Sequence, residues 1–127
     1  MISNPVGLHD PAGFGYSHVA EAGGFVFVAG QYASGPDGHV PVAGFEEQLE
    51  LAFANLGVAL RSAGLDYGDV FQLRTYVVDH SADKLAALGQ VIAKYWPQRP
   101  PVQTLLGVAA LALPDMRFEV DAVAVRR

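Results

Sequence analysis

The chain has 127 residues, 51% of them hydrophobic and 17% charged, which is enough for one domain with its own core and too apolar for a disordered chain. A net charge of −5 opposes approach to phosphate backbones, so no nucleic-acid partner is expected. The absence of Cys excludes disulfides, thiolate catalysis and Cys-based metal sites, and no apolar run reaches the roughly 18–20 residues that a membrane span needs.

The opening MISNPVGLHDPAG lacks the basic start and apolar centre of a signal peptide, so a cytoplasmic location without membrane attachment is expected. Met1 to Gly15 reads as an irregular arm because of its Pro and Gly content. Tyr16–Ala22 and Phe25–Gln31 are strand-like runs around Gly23-Gly24, and Gly supplies the positive φ that a tight hairpin turn needs. Phe25–Gln31 is apolar on both faces and is expected to be central; Gly30 within it marks a bulge or a close backbone approach. Ser34–Gly38 is a turn by composition, and His39–Ala43 is expected to form a short edge strand.

Phe45 to Ala63 is the clearest helix. Leu49, Ala52, Phe53, Leu56, Ala59, Leu60 and Ala63 recur at helical spacing, Glu46, Glu47 and Glu50 sit near the start, and Gly64 follows the end. Asp69–Asp79 reads as a long strand. Ser81 then caps a second helix through Tyr95, which Pro97, Pro100 and Pro101 terminate. Gln103–Leu111 and Arg117–Val125 close the chain as two strands joined by a Pro-containing turn, a last hairpin. In the second, Phe118, Val120, Ala122 and Ala124 share one face and Glu119, Asp121, Val123 and Val125 the other. No linker or repeat divides residues 1–127, so a single α+β domain is expected, one sheet with two helices on one face. Strands apolar on both sides point to a sheet whose open face is buried by other subunits.

An ordered set of motifs carries a resemblance across nearly the whole chain. It comprises Tyr16-Ser17, Gly23-Gly24-Phe25-Val26-Phe27-Val28-Ala29-Gly30-Gln31, Gln48, Asn55-Leu56, Ala63-Gly64-Leu65, Asp69-Val70 and Tyr76-Val77-Val78-Asp79. It ends in Pro101-Val102-Gln103, Val108-Ala109-Ala110-Leu111, Pro114 and Glu119-Val120-Asp121-Ala122, with Ala112 and Leu113 extra before the proline. The set resembles the RidA/YjgF family of reactive enamine/imine deaminases, also called the endoribonuclease L-PSP family. That resemblance implies a chorismate-mutase-like fold, a homotrimer with clefts between subunits, a small-molecule ligand and no cofactor. It also implies hydrolysis of an enamine or imine to a carbonyl compound and ammonia, the alternative being a non-catalytic metabolite-binding or chaperone-like trimer.

Carried over position by position, the resemblance assigns Tyr16 and Asp121 to catalysis and Gln103, Ala29, Gly30, Gly89 and Val108 to substrate binding. Four of these depart from the family pattern. Gln103 stands where the family has its carboxylate-binding Arg, Ala29 where it has Ser, Gly89 where it has Asn, and Asp121, one methylene shorter, where it has Glu. An amide offers no charge to a carboxylate, and losing a charged hydrogen-bonding partner costs about 1.5–3 kcal/mol, so an altered substrate, neutral or weakly polar, is expected. A mid-helix Gly89 suggests a close approach by a neighbour or ligand. Asp121 has an ordinary alternative in an inter-subunit hydrogen bond or ion pair, for instance to Arg74 or Arg99, and Arg99 is a second candidate anion holder. His9, His18, His39 and His80 form no spaced ligand pair, so no metal site is expected.

Overall fold

Six strands form one mixed sheet in the order β1-β2-β3-β6-β4-β5, with two helices packed on one face, in the computed structural model of residues 1–127. The elements are β1 Ile2–Ser3, β2 Val19–Ala22, β3 Phe25–Gln31, α1 Phe45–Ser62, β4 Val70–Val78, α2 Ala82–Tyr95, β5 Val102–Val108 and β6 Phe118–Val125. The expected α+β architecture of one sheet under two helices is the one observed.

Local chemistry accounts for most boundaries. Gly23 and Gly24 both take positive φ (60° and 82°) and join β2 to β3 in a two-residue turn. The Ser81 hydroxyl accepts from the Lys84 N–H and caps α2. At the end of α1, Gly64 has φ 77° and the Leu65 N–H donates to Leu60 O at 3.0 Å, closing the helix through a left-handed glycine. Phe118, Val120, Ala122 and Ala124 of β6 lie under the helices with Val26, Val28, Leu73 and Val77, against Leu49, Phe53, Leu56 and Leu60 of α1 and Leu88, Val91 and Ile92 of α2.

Three expectations are corrected. Residues 39–43 form no strand, because Gly35 N–H donates to His39 O and Gly38 N–H to Gly35 O in a closed turn. The edge strand on that side of the sheet is β1, too short to leave a periodic signal, which pairs with β2. The last two strands are not a hairpin either. β4 lies between them, antiparallel to β6 and parallel to β5, so α2 serves as the crossover between parallel neighbours. β5 also stops at Val108, and residues 109–117 form a loop rather than more strand.

Gln48 fixes that loop. Its fully buried amide donates to Asp115 O at 2.9 Å and Val42 O at 3.1 Å, and its carbonyl accepts from the Arg117 N–H at 2.8 Å. In β3, three steps from Val28 to Gln31 match two steps of β6 from Ala122 to Val120, so Ala29-Gly30 is the anticipated bulge.

Candidate active site

The bulge and the 109–117 loop enclose a cleft of about 360 Å³ beside the open face of the sheet. Ala29 and Gly30 form its floor, Phe14, Tyr16 and Tyr32 one wall, and Ala112, Leu113 and Met116 the other. Its one carboxyl is that of Glu119 from β6. A Cβ on Gly30 would stand 2.5 Å from Glu119 Oε2, so the glycine is the space in which this carboxyl lies. The Met116 N–H donates to Leu113 O and the Leu113 N–H to Met116 Sδ, which stiffens the loop wall.

Burial pushes the Glu119 carboxyl up from its usual range, and the charge of Asp121 two residues on adds to the effect. The Tyr16 phenol is held far above its usual range by burial first, then by Tyr32 and Glu119. It is therefore a neutral hydrogen-bonding group. Its oxygen lies 2.6 Å from His9 Nε2, and the Tyr32 hydroxyl donates to Gly38 O at 2.5 Å. The cleft thus pairs an acid whose pKa burial raises with a neutral phenol, inside largely apolar walls.

Of the residues expected at a site, this cleft gathers Tyr16, Ala29 and Gly30. Asp121 lies elsewhere. Arg74 stands directly opposite it in register and donates to Oδ1 at 2.9 Å, while the Tyr76 hydroxyl donates to Oδ2 at 2.7 Å. That ion pair joins β4 and β6 of one chain, where an inter-subunit pair was expected, and it faces a neighbouring hollow on the open face. Gln103 is on β5 opposite Leu73, so it shares the helix-covered side of the sheet, where its Oε1 accepts from the Thr75 hydroxyl at 3.0 Å. Glu119 and Gln103 therefore point to opposite faces of the sheet. Val108 ends β5 beside Val78, outside the cleft lining. Gly89 is exposed on α2, outside the cleft lining, and a Cβ there would meet nothing within 4 Å in this chain.

Sequence reasoning passed over Glu119, Tyr32 and His9. Glu119 and Asp121 share a strand face, so alternation alone does not separate them. The register partner does: Arg74 sits opposite Asp121, and Tyr76 opposite Glu119. Tyr32 follows directly on β3 and carried no motif, and His9 lies in the arm that periodicity cannot read.

With this geometry in place, comparison with known proteins is decisive. Residues 8–126 match the family model described as endoribonuclease L-PSP. The chain belongs to that family, the RidA/YjgF family of the sequence resemblance. Among L-PSP family relatives, Reactive Intermediate Deaminase A of Arabidopsis thaliana is 30% identical over 116 residues, covering 90% of this chain and 60% of that protein. The solved structure of protein YJGH superposes with a TM-score of 0.88 at 30% identity, covering 99% of this chain and 95% of that one. Escherichia coli TdcF with bound serine gives a TM-score of 0.77 at 26% identity, covering 88% of each chain. No helix of this member is long and apolar enough to cross a membrane.

Proposed function

We propose that the Glu119–Tyr16 cleft hydrolyses the C=N bond of a small imine, or the imine tautomer of an enamine, that carries no carboxylate, releasing a carbonyl compound and ammonia. The observation that carries this reading is a single carboxyl, its pKa raised by burial, set across an apolar cleft from a neutral phenol. The deaminase name of the Arabidopsis relative supports the reaction class.

The chemistry follows from those groups. Protonated Glu119 gives its proton to the imine nitrogen and makes the carbon electrophilic. A water adds to that carbon and its proton passes to the Glu119 carboxylate, forming a carbinolamine. The same carboxyl protonates the amine as the C–N bond breaks, and the hydroxyl proton returns to it as the carbonyl forms. Tyr16 hydrogen-bonds the developing hydroxyl. The net change is imine plus water to carbonyl plus ammonia. Ala29 and Gly30 shape the floor, and no cofactor or metal is required.

Substrate choice follows from charge. The cleft lining holds no cation, and Gln103 supplies an amide only. A carboxylated imine would meet the Glu119 acid without a compensating charge.

A homotrimer completes the reading. Gln103 and Glu119 face opposite sides of the sheet in one chain, so they can border one ligand only if edge strand β5 of one subunit approaches the cleft of the next. The open face favours such an assembly. Phe25, Phe27 and Phe71 are 44%, 47% and 41% exposed there, with ring centroids 6.0–6.5 Å apart.

The test is ammonia release from a panel of neutral and carboxylated imines by wild type and Gln103→Arg. Wild type is expected to act on the neutral imines, and Gln103→Arg to gain on the carboxylated ones. Fast turnover of 2-iminopropionate by wild type overturns the substrate assignment. Failure on the whole panel leaves the non-catalytic binding trimer as the better reading.

A further inference from the structure

We infer that His9 is a positioning residue for Tyr16: its Nε2–H donates to the phenol oxygen, which turns the phenol's own proton to the cleft side, where the Tyr32 hydroxyl is its neighbour. The inference rests on the cleft described above being the ligand site. It goes beyond that reading, because His9 does not line the cleft and touches the ligand space only through Tyr16.

A chain of hydrogen bonds fixes the direction. Asn55 Nδ2 of α1 donates to Ser34 Oγ at 3.2 Å, so the Ser34 hydroxyl already accepts one bond and has its own proton to give. The acceptor within reach is His9 Nδ1, at 3.2 Å. A ring that accepts at Nδ1 carries its proton on Nε2, and Nε2 stands 2.6 Å from the Tyr16 oxygen. The order is therefore Asn55 to Ser34 to His9 to Tyr16, each group donating to the next.

The histidine is held for this task. It is 4% exposed. Its backbone carbonyl accepts from His18 Nε2 at 2.9 Å, and His18 Nδ1 in turn accepts from the Gln31 amide at 3.1 Å. Its ring packs edge-on against Phe14, Tyr16 and His18. Burial first, then His18, pushes its pKa below the usual range, while the carboxylates of Asp10 and Asp37 oppose the shift. A neutral ring is the form that can accept from Ser34 while donating to Tyr16.

The consequence is chemical. An isolated phenol in an apolar wall would spend its proton on the nearest acceptor. With His9 donating to its oxygen, Tyr16 keeps its hydroxyl proton on the cleft side, where Tyr32 accepts it until a ligand competes for it, and its oxygen is polarised for that donation.

The experiment is histidine-ring NMR on protein labelled with ¹⁵N-histidine, the His9 signals assigned by their loss in His9→Gln. The expected result is a protonated Nε2 and a bare Nδ1 for His9, with the Nε2 signal displaced in Tyr16→Phe. A ring protonated on Nδ1, or an Nε2 signal that Tyr16→Phe leaves unmoved, overturns the inference. A second arm uses kinetics on a neutral imine. His9→Leu is expected to lower kcat about tenfold with KM within about twofold, the loss of one aligned hydrogen bond. His9→Gln, which keeps an N–H near the Nε2 position, is expected to recover most of it, and equal loss in both variants overturns the positioning role. Wild type that turns over no imine sinks the deaminase reading instead, and the spectra still decide His9.

Discussion

Gly30 and Glu119 act as one unit at the scale of single residues. The carboxyl occupies the space where a side chain at position 30 would begin, with contacts of 2.5–3.0 Å from a Cβ to three Glu119 atoms. Gly30→Ala is therefore expected to displace the flexible carboxyl rather than unfold the chain. Imine hydrolysis should fall at least about tenfold while the thermal midpoint shifts little, as calorimetry beside the rate assay would show. A raised carboxyl also has a sign in stability. Between its ordinary range and its raised native one, the folded state binds more protons than the unfolded state, so Glu119 makes folding less favourable as pH rises. Urea titrations of wild type and Glu119→Gln should converge near pH 4 and diverge by pH 8, with the variant the more stable. The opposite order would show that the carboxylate form is the one the fold favours. Burial sets this behaviour first and the charge of Asp121 on the same strand adds to it, while the phenols of Tyr16 and Tyr32 are themselves pushed up by Glu119.

Among the elements, the 109–117 loop matters most, because it makes a cleft wall and has no periodic structure of its own. Gln48 holds it through three hydrogen bonds from inside α1. Gln48→Ala leaves two carbonyls and one N–H without partners, and a loss of about 2–3 kcal/mol is expected in denaturant unfolding. A loss below about 0.5 kcal/mol would mean that water replaces the clamp. The same element shows what sequence can and cannot say. The helices were legible because burial repeats every three to four residues and because Ser81 and Gly64 punctuate their ends. The fate of β5 was not. Two strands next to each other in sequence usually pair, so Gln103–Leu111 and Arg117–Val125 read as a hairpin. The sheet instead inserts β4 between them, since a parallel β4–β5 pair lets α2 cover the core. That choice depends on contacts far apart in the chain, and local pattern carries no record of it. The candidate site was legible to the same degree: Tyr16 and Gly30 stand in motifs, whereas the choice between Glu119 and Asp121 turns on which residue faces Arg74 across the sheet.

For the whole molecule, the open face is the largest feature that one chain leaves unexplained. Phe25 and Phe27 alternate with the buried Val26 and Val28, and they pair in register with Val125 and Val123. An aromatic surface of this kind, together with Gln103 and Glu119 on opposite faces, fits the proposed trimer and its shared clefts. Phe27→Arg is expected to give smaller species in sedimentation and to lose imine hydrolysis at the same time. A variant that dissociates yet keeps full activity would show that one chain suffices for the cleft. The central claim is that Glu119, and not Asp121, is the working acid. It is tested most directly by initial rates of ammonia release from a neutral imine for Glu119→Gln and Asp121→Asn, compared with wild type. The expected result is a loss of about 100-fold or more in Glu119→Gln and less than about fivefold in Asp121→Asn. The reverse order, with Glu119→Gln near wild type and Asp121→Asn inactive, would contradict it and move the chemistry to the hollow beside Arg74.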